Sequence, residues 1–150
     1  MPHDFSGRTV MITGASGGLG QAVTAHFAAS GAALVLAERS PEGAQALMTR
    51  LSVPADRYLV ATVDATDPAS VDAAVAQAVS RFGRIDILAH TVGGYAAGKP
   101  VHEASIDVWD RMMALNARAV YVTCGSVARH MVTAGGRGSI VVVLARAALK

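Results

Sequence analysis

The stretch Thr13-Gly14-Ala15-Ser16-Gly17-Gly18-Leu19-Gly20 decides how the rest of this sequence is interpreted. It follows a short apolar run at residues 9–13 and leads into a helical pattern at residues 19–30. Glycines let the backbone turn tightly and approach a ligand closely, and the N–H groups at the start of a helix attract negative charge. A strand, a glycine-rich turn and a helix in this order therefore predict a phosphate-binding turn.

Strand and helix patterns alternate along the rest of the chain. The helix at residues 68–82 has the clearest limits, because Asp67 suits the N-cap, Pro68 stands at the first helical position and Gly83 closes the helix. Such alternation predicts an α/β protein with a doubly wound parallel sheet and a ligand crevice where the strand order reverses. The other predicted helices cover residues 19–30, 42–51 and 106–134, and the predicted strands cover residues 9–13, 34–37, 58–63, 85–89 and 139–144.

Composition and charge exclude several classes of protein. The chain is 52% hydrophobic and 16% charged, which argues against a disordered or fibrous protein. A formal net charge of +2, with scattered basic residues, argues against a nucleic-acid partner. The one cysteine, Cys124, cannot form an intrachain disulfide, which fits a reducing compartment. Without a signal pattern or an apolar run of membrane-span length, we expect a cytoplasmic protein with no membrane partner. We also expect no metal site.

The glycine-rich turn also carries a resemblance to a known family. The positions of Gly14, Gly18 and Gly20 differ from the spacing G-x-G-x-x-G and resemble the T-G-x-x-x-G-x-G turn of the short-chain dehydrogenases/reductases. The resemblance implies a Rossmann-like sheet with strand order 3-2-1-4-5 and a nicotinamide dinucleotide, NAD or NADP, as cofactor. It implies that residues 1–150 are the NAD(P)-binding N-terminal portion of a longer domain, cut short after the fifth strand.

Further positions match functional residues of the family. Asp64 matches the aspartate that contacts the adenine, and Asn116 matches the asparagine that kinks the long helix and supports the proton relay. Glu38 ends the second strand close to where an acid binds the adenosine ribose, which favours NAD, whereas the neighbouring Arg39 could bind the 2′-phosphate of NADP. We expect phosphates to lie against the backbone N–H groups of residues 16–19. The predicted cofactor residues are Thr13, Gly14, Ser16, Gly17, Gly18, Leu19, Gly20, Glu38, Arg39, Asp64, Ala65, Thr91 and Gly93.

Two segments depart from the family pattern. The family's N-N-A-G motif is replaced by His90-Thr91-Val92-Gly93, so we expect His90 to pack and hydrogen-bond locally. Ala145 stands at the position of the active-site serine, and alanine cannot donate a hydrogen bond to a substrate carbonyl. Gly93-Gly94-Tyr95 and residues 145–150 are similar to the dihydropteridine reductase branch, which has alanine in place of this serine.

The resemblance places the family's catalytic Tyr-x-x-x-Lys pair beyond Lys150. In that chemistry the tyrosine is the general acid/base, and the lysine lowers its pKa and holds the ribose. We therefore expect no hydride-transfer turnover from residues 1–150 alone. The leading hypothesis is an oxidoreductase that transfers hydride between a nicotinamide and a carbonyl, an alcohol or a related small molecule. A non-catalytic dinucleotide-binding module is the alternative, and an interaction protein that has lost its ligand is a third.

An assembly is also expected. The helix at residues 106–134 resembles the family helix that packs in a dimer's four-helix bundle, which implies a homodimer or homotetramer of the intact enzyme. Val120, Cys124, Val127 and Met131 form an apolar stripe at helical spacing. This stripe would serve equally well to cover the sheet.

Overall fold

The computed structural model describes residues 3–96 and 98–144. Its centre is a parallel sheet of five strands in the order β3-β2-β1-β4-β5, which confirms the predicted order. Every neighbouring pair is parallel, with β1 next to both β2 and β4. The strands are β1 at Thr9–Thr13, β2 at Ala33–Glu38, β3 at Tyr58–Thr62, β4 at Ile87–His90 and β5 at Ser139–Val142.

Helices connect consecutive strands, as the sequence predicts. Asp67 caps α3 by accepting hydrogen bonds from the N–H groups of Ala69 (3.2 Å) and Ser70 (3.3 Å), and Gly83 ends the helix with a φ of 79°. These local signals explain why the predicted limits of α3 are correct. The helices are α1 at Gly18–Ala29, α2 at Pro41–Arg50, α3 at Pro68–Phe82, α4 at Ile106–Met113 and α5 at Ala119–Thr133, with a 3₁₀ turn at Ala55–Arg57.

Two cores cover the two faces of the sheet, which makes the fold doubly wound. On one face, Met11 and Leu88 pack with Val71 of α3 and Val127 of α5. On the other face, strand residues of β1 and β2 pack with Ala44, Leu47 and Met48 of α2. Strands buried on both faces are what a nearly continuous apolar sequence such as 10–12 requires.

The predicted strand at residues 85–89 begins two residues late, at Ile87. The residue before it, Asp86, is 5% exposed, and its carboxylate accepts hydrogen bonds from Thr9 N–H (2.9 Å), Arg8 Nη1 (3.0 Å) and Arg84 Nη2 (2.5 Å). Burial favours the protonated carboxyl, but these donors outweigh it and hold the pKa of Asp86 below its ordinary value. Asp86 therefore anchors the start of β4 to β1.

The helix predicted at residues 106–134 is not one regular α-helix. A π-helical turn at Ala114–Arg118 separates α4 from α5. The apolar stripe on α5 covers the sheet: Val127 and Met131 belong to the core and Cys124 packs against it. Among residues 3–96 and 98–144, no helix combines the length and the apolar character needed to cross a membrane.

Candidate functional site

A cavity of about 430 Å³ opens at the carboxyl ends of β1 to β4. It lies where the chain passes from the β1-β2-β3 side of the sheet to β4, which is the reversal of strand order that forms a crevice in such folds. Ten of the predicted cofactor residues line it, whereas Gly18, Leu19 and Gly20 do not. The cavity is lined by Thr13, Gly14, Ser16, Gly17, Ala37, Glu38, Arg39, Val63, Asp64, Ala65, Thr66, Thr91, Val92, Gly93 and Leu115.

Gly20 shapes the turn from behind the cavity. A Cβ on Gly20 would meet the carbonyl oxygen of Gly14 and would come within 2.8 Å of its carbonyl carbon and 2.9 Å of Ala15 Cα. These are backbone atoms, so no side chain can move aside to make room. Gly14 itself has a φ of 68°, in the left-handed region that favours glycine. The turn therefore needs glycine at both positions.

The four backbone donors expected to hold phosphates are not equivalent. Ser16 N–H donates to the Glu38 carboxylate, and Gly17 N–H donates to the Gly14 carbonyl (3.0 Å). Helix α1 begins at Gly18, and no side chain caps it at Gly17. Because the first N–H groups of a helix lack intrahelical acceptors, Gly18 and Leu19 contribute the donors that point beyond the helix end.

Asp64 stands at the edge of the cavity formed by the loop after β3. Its Oδ1 accepts hydrogen bonds from the hydroxyl (2.7 Å) and the N–H (2.8 Å) of Thr66. These two bonds, and to a smaller extent the charge of Arg39, hold the pKa of Asp64 below its ordinary value. The loop thus presents an ionised carboxylate beside the Glu38 end of the cavity.

His90 lies beneath the glycine-rich turn and is completely buried. Its Nδ1 shares a hydrogen bond of 3.0 Å with Thr13 Oγ1, while Nε2 has no hydrogen-bond partner among the described residues. Thr91 Oγ1 donates to the carbonyl oxygens of Thr13 (2.8 Å) and Gly14 (3.2 Å). The segment that departs from N-N-A-G therefore supports the turn through its side chains.

Burial of His90 predicts a pH-dependent stability. Desolvation lowers the pKa of the imidazole, against the opposing effect of the Val92 backbone, so the folded state keeps His90 neutral where the unfolded chain is protonated. Below the ordinary pKa of 6.5 the unfolded state then binds more protons, and stability falls as the pH drops towards the lowered pKa. We expect the melting temperature to fall less for the His90→Asn variant than for the wild type when the pH is lowered from about 8 to about 5.5. Equal losses would contradict this role of His90.

Asn116 occupies the π-helical turn and holds the loop after β4. Its Oδ1 accepts from Gly94 N–H (3.0 Å), and its Nδ2 donates to the carbonyl oxygens of Gly94 and Met112 (both 2.9 Å). These bonds join the long helix to the segment next to Gly93, which lines the cavity. Asn116 is thus placed beside the part of the cavity that Gly93 lines.

Two further positions bear on catalysis, Ala145 and Tyr95. Ala145 and the rest of the segment 145–150 lie outside the described residues. Tyr95 and Lys99 stand four residues apart and so fit Tyr-x-x-x-Lys by spacing. This spacing therefore also occurs before Lys150, where we did not expect it. They lie in the loop between β4 and α4, where Tyr95 is 80% exposed. Spacing of four places two side chains on one face only within a helix, so this pair lacks the family's geometry.

Comparison with known proteins identifies the family. The family model for short chain dehydrogenase matches residues 8–150. The chain belongs to the short-chain dehydrogenase family. D-threitol dehydrogenase of Mycolicibacterium smegmatis is 35% identical over 144 residues, which cover 96% of this chain and 55% of that protein. Sorbitol dehydrogenase of Cereibacter sphaeroides is 32% identical over 141 residues, which cover 94% of this chain and 53% of that protein.

Solved structures of short-chain dehydrogenases share the fold. A glucose/ribitol dehydrogenase of the family from Brucella melitensis superposes with a TM-score of 0.87 and 34% identity, covering 99% of this chain and 61% of that one. A 3-ketoacyl-(acyl-carrier-protein) reductase from Brucella melitensis, solved with NADH, gives a TM-score of 0.78 and 30% identity, covering 89% of this chain and 54% of that one. This short-chain dehydrogenase chain therefore spans little more than half the length of these relatives.

Proposed function

We propose that the chain is the cofactor-binding part of an NAD(P)-dependent oxidoreductase. The observation that carries this proposal is the glycine-rich turn, which forms one wall of the cavity where the strand order reverses. Its geometry fits a pyrophosphate, because the missing Cβ atoms leave backbone at the surface and α1 directs its first N–H groups outward. A nicotinamide dinucleotide bound there supplies the donor or acceptor of a hydride.

Each part of the cavity suits one part of that cofactor. Next to the cavity lining, Gly18 and Leu19 at the start of α1 offer N–H groups to the phosphates, and Glu38 stands where the adenosine ribose would bind. Asp64 and Ala65 form the adenine edge, and the segment around Thr91 and Gly93 forms the nicotinamide side. Asn116 braces that side through its bonds to Gly94. The relative solved with NADH supports this assignment of the cavity.

We expect the protein to prefer NAD to NADP. The Glu38 carboxylate is half-buried and held by Ser16 N–H, while the charge of Arg39 is shared with Asp64. A 2′-phosphate would therefore meet two carboxylates and one guanidinium. We measure the preference for NAD as the Kd of NADP divided by the Kd of NAD. Because like charges at short range repel, Glu38→Gln should lower this ratio by roughly tenfold. Arg39→Gln is the matched control and should raise that ratio. Tighter binding of NADP than of NAD by the wild type would contradict the assignment.

We assign the substrate to small alcohols or carbonyl compounds. Relatives named for D-threitol and sorbitol make polyols the first compounds to test. The assay follows the absorbance of the reduced nicotinamide, using full-length protein with polyols, cyclic alcohols, ketones, quinones and quinonoid pterins. Turnover with any of these supports an oxidoreductase. Binding of the cofactor without turnover across the panel would favour the alternative of a non-catalytic dinucleotide-binding module.

We also propose that the full-length protein assembles as a dimer or tetramer through the long helix. The stripe that includes Val127 and Met131 packs against the sheet, so another face of the long helix must form the interface. Trp109 is 61% exposed and Tyr121 is 82% exposed, which leaves large aromatic surface on α4 and α5. Light scattering of full-length protein should give a dimer or larger. A well-folded monomer at high concentration would contradict the assembly.

A further inference from the structure

The π-helical turn makes a second long-range contact that the comparison with the family does not explain. Arg118, its last residue, donates a hydrogen bond from Nε to the carbonyl oxygen of Thr66 (2.8 Å). The two residues are 52 positions apart in the sequence. Arg118 does not line the cavity, whereas Thr66 does. The contact therefore joins the start of α5 to the loop that forms the adenine edge.

Thr66 is also the residue that fixes the Asp64 carboxylate. Both its hydroxyl and its N–H bond to Oδ1 of Asp64, and the second oxygen, Oδ2, accepts no hydrogen bond from the described residues. One oxygen is thus used for positioning and the other remains for a ligand. A chain of contacts runs from Arg118 through Thr66 to the carboxylate of Asp64.

The same turn also holds the loop after β4. Asn116, two residues before Arg118, bonds to Gly94 in the loop after β4. Helical residues two positions apart do not face each other, so one short turn can reach loops on different sides. The π-helical turn therefore ties together the loop after β3 and the loop after β4.

We propose that Arg118 is a positioning residue for recognition of the adenine. It holds the Thr66 carbonyl, and through Thr66 it keeps the Asp64 carboxylate in place to accept a hydrogen bond from the adenine amino group. This inference rests on the proposed function, namely that the cavity takes a nicotinamide dinucleotide. Asp64 is exposed to solvent. Fixing an exposed side chain before binding reduces the entropy that binding must remove, and so strengthens affinity.

The test compares two reduced cofactors on the full-length protein. One is NADH, and the other is its hypoxanthine analogue, in which a carbonyl oxygen replaces the adenine amino group. That oxygen cannot donate to Asp64 and repels the carboxylate. We expect the wild type to bind NADH more tightly than the analogue, and Asp64→Asn to lose this discrimination. Arg118→Met should weaken the binding of NADH by about fivefold and leave the binding of the analogue nearly unchanged, because it removes one positioning hydrogen bond.

Two further variants separate positioning from a general structural role. Arg118→Lys keeps a donor and a charge on a side chain of similar length, and it should restore most of the discrimination. When Asp64→Asn is already present, Arg118→Met should cause almost no further loss of NADH affinity, since both substitutions act on the same contact. The inference would be overturned if Arg118→Met weakened the binding of both cofactors equally or changed the binding of neither. Failure of the wild type to bind NADH at all would instead overturn the proposed function.

Discussion

Replacement of Gly20 by alanine is expected to abolish strong dinucleotide binding. The added Cβ would meet backbone atoms of Gly14 and Ala15, so the turn itself must move. The N–H groups at the start of α1 would then lose their placement relative to the phosphates. Overpacking against atoms that cannot yield also destabilises the fold by about 1–3 kcal/mol. From the displaced donors we expect NADH to bind about 100-fold more weakly, which corresponds to about 2.7 kcal/mol of binding free energy. Fluorescence titration of the full-length variant with NADH measures this loss.

Two other glycines serve as controls for this variant. A Cβ on Gly18 or on Gly125 would have no heavy atom within 4 Å. Gly18→Ala should therefore melt like the wild type, and any loss of NADH binding would report the cofactor phosphates near the start of α1. Gly125→Ala lies on α5, away from the cavity, and should bind NADH as the wild type does. Unchanged NADH binding by Gly20→Ala would contradict the assignment of the turn.

The second large effect concerns catalysis. Residues 1–150 alone should give no hydride-transfer turnover, even where they bind NADH, whereas the full-length protein should turn over. The described cavity is lined by backbone and by the carboxylates of Glu38 and Asp64, but no tyrosine lines it. A positioned general acid/base contributes about 10²–10⁴-fold in rate, so its loss is easy to detect. Comparable turnover by the two proteins would contradict this account of catalysis.

Tyr95 provides the control for that experiment, because it is followed by Lys99 at the family's spacing. In the full-length protein, Tyr95→Phe should retain turnover within about threefold, since an exposed loop residue without the helical geometry does not donate the proton. A loss of about 10²–10⁴-fold in turnover by Tyr95→Phe would instead assign the role of proton donor to Tyr95. Ala145→Ser tests the other departure. We expect the full-length protein to turn over with alanine at this position, as the resemblance to the dihydropteridine reductase branch implies, so turnover only after Ala145→Ser would contradict that expectation.

Local signals allow most of the fold to be predicted from the sequence. Strands, caps and the glycine-rich turn depend on neighbouring residues, as the hydrogen bonds of Asp67 to Ala69 and Ser70 illustrate. The strand order follows from the family resemblance together with the alternation of strands and helices. The contacts of Asp86 at the start of β4 are different, because its carboxylate is held by Arg8 and Thr9 from the other end of the sequence. A pattern within residues 85–89 carries no sign of those partners.

The same limit applies to the cavity. Residues of the glycine-rich turn and the loop after β3 can be predicted from motifs, since each motif is a continuous segment. The resemblance implies a kink at Asn116, but the contacts of the π-helical turn cannot be predicted, because Ala114, Leu115 and their neighbours have ordinary helical sequence. Its side-chain bonds run to Gly94 and Thr66, which are 22 and 52 positions away. Leu115 lines the cavity only because the fold brings this turn to it.

The most direct test of the central claim is titration calorimetry of the full-length protein with NAD and NADH, with Gly20→Ala measured alongside. We expect saturable heat with at least one of the two cofactors at a stoichiometry of about one per chain, and a rise in melting temperature that follows from binding to the folded state. Gly20→Ala should show neither under the same conditions. A folded wild type that gives no heat and no thermal shift with either cofactor would contradict the claim that this cavity binds a nicotinamide dinucleotide.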